Sequence, residues 1–191
     1  EIWVILLAPF LGLPIPLLPI HILWINLVTD GLPALALANE KAEQDIMSRP
    51  PRAPKESLFS DGVGIHIIWV GILMAAVTLG TQAWATSQGI EHWQTMVFTV
   101  LALSQLGHVL GVRSDRTFLY KQGLFSNPSL MASVALTFVL QMAVVYMPFM
   151  NEIFKTQPLS LKELGICLGL SVVVFHAVEL EKLVRMYRRK K

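Results

Sequence analysis

Three side chains with oxygen ligands, Asn26, Thr29 and Asp30, stand close together inside a long apolar stretch. Asn26 and Asp30 are four residues apart, so on a helix they share one face and can direct oxygens to a common point. Pro33 has no N–H to bond the Thr29 carbonyl, which leaves that backbone oxygen free as another ligand. Carboxylate, amide and carbonyl oxygens suit hard cations such as Ca²⁺ better than zinc or copper. The pattern therefore predicts a cation site on a helix interrupted at Gly31 and Pro33.

Glu1 and Gln105 are the other candidate ligands. Glu1 can supply a second carboxylate from the neighbouring helix, or it is an ordinary charge without a ligand role. Gln105 stands beside Ser104 and near His108. A single Gln or His in a membrane helix more often makes a hydrogen bond to a neighbouring helix than binds an ion. The alternative for the whole set is a network of interhelical hydrogen bonds that binds no ion.

Two further sets of polar residues are interpreted as structural. Four histidines have no clustered partner along the sequence and are assigned to packing or to the membrane interface: His21, His66, His92 and His176. Four charged residues near the C-terminus are spaced for pairs of opposite charge along one helix: Glu179, Glu181, Lys182 and Arg185. We expect no ligand role for either set.

The composition places these residues in a membrane protein. Of 191 residues, 54% are hydrophobic and only 15% are charged, against about 25% charged in a typical soluble domain. Five stretches contain no Asp, Glu, Lys or Arg: 2–29, 62–90, 92–112, 128–151 and 164–178. Soluble enzymes, nucleic-acid-binding proteins and disordered chains are excluded on this basis. A single cysteine, Cys167, excludes a disulfide framework and a cysteine metal cluster, so we expect it to serve packing.

Helix-breaking residues divide the chain into six expected spans, which together predict an all-α membrane protein with a six-transmembrane-helix bundle. The spans lie at about 1–13, 18–39, 62–85, 92–112, 128–147 and 161–187. Since a bilayer core takes about 20 residues to cross, the first span is too short. We therefore expect that it is truncated and that the chain is the C-terminal part of a larger polypeptide.

The distribution of positive charge predicts an orientation. Thirteen of the 15 Lys and Arg residues lie in three segments, 40–60, 113–127 and 182–191. Because cytoplasmic loops are enriched in Lys and Arg, we expect these segments and the C-terminus on the cytoplasmic side of the cell membrane. The connections expected to face outward are 14–17, 86–91 and 148–160, where Lys155 is the only positive residue.

The stretch from Leu23 to Arg52, LWINLVTDGLPALALANEKAEQDIMSRPPR, resembles the P-type cation-transporting ATPases. The resemblance is to calcium pumps of the sarco/endoplasmic reticulum kind and their bacterial relatives. It rests on the run NLVTDGLPA and the following loop of the form D-I-M-x-R-P-P-R. The remaining spans fit the C-terminal transport region of that family. The resemblance thus implies that the six helices are the fifth to tenth of a ten-helix pump.

The resemblance also implies roles for single residues. In such pumps the sixth helix supplies an Asn, a Thr and an Asp to the ion sites, and these positions correspond to Asn26, Thr29 and Asp30. The Glu of the fifth helix corresponds to Glu1. Gln105 stands where the two-calcium pumps carry a Glu, which puts one of two ion sites in doubt. We therefore predict one Ca²⁺ transported per ATP.

As part of such a pump, the chain would help to export Ca²⁺ from the cytosol. ATP and Mg²⁺ would bind only in motor domains outside these 191 residues, since the phosphorylation motif D-K-T-G-T is not among them. The expected partners are the lipid bilayer, the first four helices, and the actuator, nucleotide-binding and phosphorylation domains, with no nucleic acid. Alternatives are a P-type pump for Mn²⁺, H⁺ or Na⁺/K⁺, although sodium/potassium pumps carry an Asp where Asn26 stands. A secondary transporter or a structural membrane subunit is the alternative from another class.

Overall fold

The structure, a computed structural model, describes residues 1–42, 46–48, 51, 57, 59, 62–114 and 117–189. These residues contain helices and turns and no β-strand. The eight helices are α1 (Ile2–Phe10), α2 (Pro19–Leu37), α3 (Val63–Ser87), α4 (Trp93–Gly111), α5 (Leu119–Gln122), α6 (Pro128–Tyr146), α7 (Pro148–Phe154) and α8 (Leu161–Arg189). The expected all-helical class is confirmed.

Within the part of the chain that the structure describes, four helices are long and apolar enough to cross a bilayer: α2, α3, α6 and α8. The other two expected spans differ from these four. α1 has 9 residues, or about 14 Å at the α-helical rise, because Pro9 and the positive-φ Gly12 end the helix early. α4 has 19 residues but is less apolar than the four. Crossing by α1 and α4 stays a prediction.

α4 is the central helix of the bundle. It packs against α2, α3, α6 and α8, and each residue from Thr95 to Ser104 is buried. Phe98 and Leu101 of α4 join Ile25 of α2 in the largest hydrophobic cluster. Since residues 95–104 of α4 face protein on all sides, this part of the helix can carry polar side chains that a lipid-facing helix would expose at high energetic cost.

Three connections meet at one end of the bundle. The Gln82 amide donates to the Pro14 carbonyl at 2.7 Å, and the Gln94 amide donates to the Ile15 carbonyl at 3.1 Å. His21, buried and stacked on Phe98, lies 2.7 Å from the Phe154 carbonyl through Nε2. The connections at 14–17, 86–91 and 148–160 therefore share one side, as the predicted alternation of crossings requires.

The opposite end is held by charged side chains. Arg113, which follows α4, bonds Glu40, which follows α2. Lys182 of α8 donates to the Thr117 carbonyl at 3.2 Å. Most of the predicted 40–60 loop, with Arg49, Arg52 and Lys55, lies outside the described residues. So do Arg116, Lys190 and Lys191, and the side chains of Arg188 and Arg189.

Two short helices, α5 and α7, lie in segments that were predicted to be connections between the spans. Each has fewer than eight residues, too short for the 3.6-residue periodicity by which a helix is recognised in sequence. Cys167 is fully buried, with Sγ near the Met96 carbonyl. The packing role predicted for this cysteine is therefore confirmed.

Candidate ion-binding site

The helix that carries the predicted ligands is distorted rather than broken. Within α2, Ile25–Asp30 form a π-helical turn that includes three of the predicted site residues. The helix then continues to Leu37, and Gly31 has ordinary helical dihedrals of −63° and −51°. The expected interruption at Gly31 and Pro33 is thus wrong in position. Because Pro33 denies the Thr29 carbonyl its usual donor, the widening falls in the preceding turn.

A neighbouring helix supplies a partner for this π-turn. Thr137 of α6 is buried, and its hydroxyl donates to the Val28 carbonyl at 3.4 Å. On the same helix, Gln141 accepts a hydrogen bond of 2.9 Å from the Trp24 indole N–H. The turn that carries Asn26, Thr29 and Asp30 is therefore held against α6 as well as against α4.

Glu1 joins α2 to α4. The Asn26 amide nitrogen lies 3.4 Å from Glu1 Oε2, and the Gln105 amide nitrogen lies 3.5 Å from Glu1 Oε1. Both bonds are long, whereas Asn26 also donates to the Ile22 carbonyl at 3.0 Å. The three predicted ligands Glu1, Asn26 and Gln105 are therefore brought together, with the carboxylate between two amides.

Thr29, Asp30 and Gln105 line one cavity of about 380 Å³, which we call the ion cavity. Its other polar lining residues are His66 and His108, and the rest of its wall is apolar. Asn26 and Glu1 are not among its lining residues, so the predicted set divides into a cavity group and a bridging group. The charges of Glu1 and Asp30 nevertheless repel each other across this division.

Two oxygens on the wall of the ion cavity have no hydrogen-bond partner among the described residues. They are Thr29 Oγ1 and Gln105 Oε1, each buried. Leaving a buried polar atom unpaired costs about 1–3 kcal/mol, so such atoms call for an explanation. Hydroxyl and amide oxygens beside the Asp30 carboxylate form a donor set that a hard cation accepts. The residues present therefore fit a bound cation.

The set is smaller than a complete coordination shell. Among the described residues, no group of three or more His, Cys, Asp and Glu could hold a metal ion by itself. Calcium takes six to eight oxygens, so an ion here needs further ligands in addition to those of α2 and α4. The geometry suits a site whose ligands come partly from other helices better than a site formed by α2 and α4 alone.

The interpretation of the histidines is wrong for His66. His66 Nδ1 lies 2.5 Å from Glu181 Oε2, and its Nε2 lies 3.2 Å from His108 Nε2. These partners are 115 and 42 residues away, so local spacing gave no sign of the cluster. By contrast, His21 is structural as predicted, and the predicted pairs Glu179–Lys182 and Glu181–Arg185 form on α8.

Comparison with known proteins identifies the family. Residues 14–184 match the family model described as Cation transporting ATPase, C-terminus. The chain belongs to this family. The match includes Asn26, Thr29, Asp30 and Gln105, whereas Glu1 lies outside the matched residues.

Several curated relatives of this cation-transporting ATPase region are named calcium-transporting ATPases. "Calcium-transporting ATPase" of Bacillus subtilis (strain 168) is 37% identical over 91% of this chain and 20% of the relative. "Calcium-transporting ATPase 1" of Bacillus cereus (strain ATCC 10987 / NRS 248) is 34% identical over 97% of the chain and 23% of the relative. "Calcium-transporting ATPase type 2C member 2" of Rattus norvegicus is 31% identical over 96% and 20%. The chain thus spans about a fifth of the length of these relatives.

Proposed function

We propose that this cation-transporting ATPase region is the ion-binding membrane part of an ATP-driven pump that exports Ca²⁺ from the cytosol. The observation that carries the proposal is the ion cavity, where the Asp30 carboxylate stands beside buried oxygens of Thr29 and Gln105 that have no partner among the described residues. Family membership and the names of the relatives support Ca²⁺ as the transported ion.

In this proposal the transported ion binds to Asn26, Thr29, Asp30, Glu1 and Gln105. A divalent cation between Glu1 and Asp30 attracts both carboxylates, and this attraction outweighs the repulsion between them in a low-dielectric interior. Pro33 lacks the N–H that would bond the Thr29 carbonyl, so this backbone oxygen is a further candidate ligand beside these side chains. The remaining ligands come from other helices of the pump, which explains why Asn26 and Asp30 are exposed on the bundle surface.

The energy for transport comes from outside this region. ATP and Mg²⁺ bind to motor domains elsewhere in the longer pump, and phosphorylation there changes the affinity and the accessibility of the ion site. In the transport cycle this chain holds the ion away from water and releases it when α2 shifts. α1 and α4 complete six crossings of the cell membrane in this arrangement.

The end of the bundle that carries Arg113 and Lys182 faces the cytoplasm in this proposal. The supporting observation is the concentration of Lys and Arg at that end, the usual bias of cytoplasmic loops. The partners of the region are then lipid around the apolar surfaces of α3 and α8, and the remainder of its own pump.

The test is Asp30→Asn in the full-length pump. The change keeps size and hydrogen bonding but removes the formal negative charge that a divalent ion requires. We expect Ca²⁺-dependent phosphorylation by ATP to fall to background while the protein remains folded in the membrane. The matched control is Glu163→Gln, a carboxylate at the opposite end that pairs with His92. Normal Ca²⁺ transport by the Asp30 variant would refute the assignment.

A further inference from the structure

His66 is the second member of a chain of four polar side chains that links three helices: His108, His66, Glu181 and Arg185. On one side, its Nε2 lies 3.2 Å from Nε2 of His108 on α4. On the other, its Nδ1 lies 2.5 Å from Oε2 of Glu181 on α8. The other oxygen of Glu181 forms an ion pair with Arg185, which also donates to the Gly62 carbonyl at 3.2 Å. The site described above does not use this chain.

His66 also lies between two cavities. It lines the ion cavity together with Asp30 and His108. It lines a second, smaller cavity of about 190 Å³ together with Glu181, Lys182 and Arg185, which we call the terminal cavity. The side chain of His66 is 18% exposed and that of Glu181 is 15% exposed. The chain of side chains therefore connects the ion cavity to the charged end of the bundle.

The bond between the two histidines requires exactly one hydrogen between two Nε2 atoms. With Glu181 ionised and paired with Arg185, His66 carries a hydrogen on Nδ1. The hydrogen between the rings is then either on His66, which makes it an imidazolium, or on His108, which leaves both rings neutral. The first arrangement holds one more proton than the second, because His108 then carries its own hydrogen on Nδ1. Binding of a proton at His108 Nδ1, with transfer of the Nε2 hydrogen across the bond to His66, converts the second arrangement into the first.

A metal does not account for the cluster. Among the described residues, no group of three or more His, Cys, Asp and Glu has the arrangement of a metal site. A purely structural histidine in the same protein looks different: His92 bonds Glu163 at 2.9 Å through Nε2, and neither residue lines a cavity described above. The combination of two hydrogen-bonded imidazoles, a carboxylate and two cavities points to proton movement.

We propose that His108, His66 and Glu181 form a proton relay between the ion cavity and the charged end of the bundle. A proton that binds His108 Nδ1 from the ion cavity displaces the Nε2 proton to His66 Nε2. His66 then passes its Nδ1 proton to Glu181, which releases a proton to water in the terminal cavity. Each step makes one N–H or O–H bond and breaks another, so one proton leaves for each that enters.

The relay rests on the proposed function, to which it adds a route for protons that leave the ion site when Ca²⁺ binds. Four titratable or charged groups face His66 from neighbouring helices: His108 from α4, Glu181 and Arg185 from α8, and Asp30 from α2 across the ion cavity. Lys182 also faces the terminal cavity. Arg185 and the hydrogen bond from His66 favour the ionised form of Glu181, so Glu181 holds the transferred proton only briefly before water in the terminal cavity takes it.

The test uses the full-length pump in sealed vesicles, with ATP and a membrane-impermeant pH-sensitive dye in the weakly buffered outer medium and radioactive Ca²⁺ to follow uptake. In His66→Gln, we expect proton release into the medium that carries ATP to slow by about 10²-fold, the lower end of what a positioned proton-transfer group contributes. The matched control is His92→Gln, which removes a histidine bonded to a carboxylate at the other end of the bundle. The control should release protons at the rate of the unmodified pump.

The outcomes separate the two proposals. ATP-driven Ca²⁺ uptake with unchanged proton release in His66→Gln would overturn the relay alone. Absence of ATP-driven Ca²⁺ uptake by the unmodified pump would overturn the proposed function and the relay with it. If His66→Gln does not fold, His108→Gln repeats the test with the Glu181–Arg185 pair intact. In the unmodified pump, proton release should also be slower in D₂O than in H₂O, and equal rates would overturn the relay.

Discussion

The Arg113 guanidinium meets the Glu40 carboxylate in a two-pronged pair, with Nε 3.0 Å from Oε2 and Nη2 2.9 Å from Oε1. The pair joins the segment after α2 to the segment after α4. Arg113 has a side chain that is 0% exposed, and it also donates to the carbonyls of Gly123 and Leu124. One guanidinium therefore holds together three segments at the charged end of the bundle.

Arg113→Met should destabilise the protein by about 3–5 kcal/mol, the usual loss when one partner of a buried ion pair is removed. The loss arises because Glu40 keeps its charge without its partner. The loss of stability should appear as a lower midpoint temperature for thermal inactivation of the detergent-solubilised full-length pump. Lys121→Met, at an exposed basic residue of α5, is the control and should change little. An unchanged midpoint in the Arg113 variant would contradict this account.

The pH dependence of stability should reveal the same pair. Burial of Glu40 raises its pKa, but hydrogen bonds from Arg113, Asn127 and Gln122 and the charge of Arg113 outweigh burial and hold the pKa below its ordinary value of 4.5. A lowered folded-state pKa contributes stability above the ordinary pKa, and this is lost as the pH falls through the lowered value. The stability gap between the unmodified protein and Glu40→Gln should therefore persist at neutral pH and close only well below 4.5. A gap that closes above that pH would show that the pKa is not lowered.

Gln105→Glu should add a second Ca²⁺ to the pump. The substitution places a carboxylate at the position where two-calcium relatives are expected to have one, beside Asp30 in the ion cavity. Equilibrium binding of radioactive Ca²⁺ to the full-length pump should rise from one ion per phosphorylation site to two. Gln94→Glu, at the opposite end of α4, should leave the count at one. Two ions bound by the unmodified pump would refute the predicted stoichiometry.

Labelling of introduced cysteines should report the orientation. Ser57→Cys, in the predicted cytoplasmic loop, should react with a membrane-impermeant thiol reagent only after right-side-out cells are opened. Ser87→Cys, at the other end of α3, should react in sealed cells. The native Cys167 is buried, so it should contribute little background. Labelling of the Ser57 variant in sealed cells would reverse the proposed orientation.

The sequence predicted the features that depend on local composition. Charge-free apolar stretches located the helices because crossing a bilayer requires about 20 apolar residues. Pro33 correctly indicated that α2 is distorted. The distortion lies upstream of Pro33, because its place depends on how the chain relaxes around the missing proline N–H. The pairs Glu40–Arg113 and His66–Glu181 join residues 73 and 115 positions apart. Such contacts depend on which helices become neighbours in the bundle. The spacing of residues along a single helix does not predict which helices these are.

The enclosed position of α4 bears on how the protein is made. A segment passes from the translocation channel into lipid according to its own apolarity, and α4 is less apolar than α2, α3, α6 or α8. Only five residues, 88–92, separate α3 from α4, so we expect the two to enter the bilayer together as a helical hairpin. The polar side chains of α4 become shielded when α6 and α8 arrive. In the folded protein the Ser171 hydroxyl of α8 donates to the Val100 carbonyl of α4 at 3.2 Å, so the enclosure of α4 is complete only once α8 has joined the bundle.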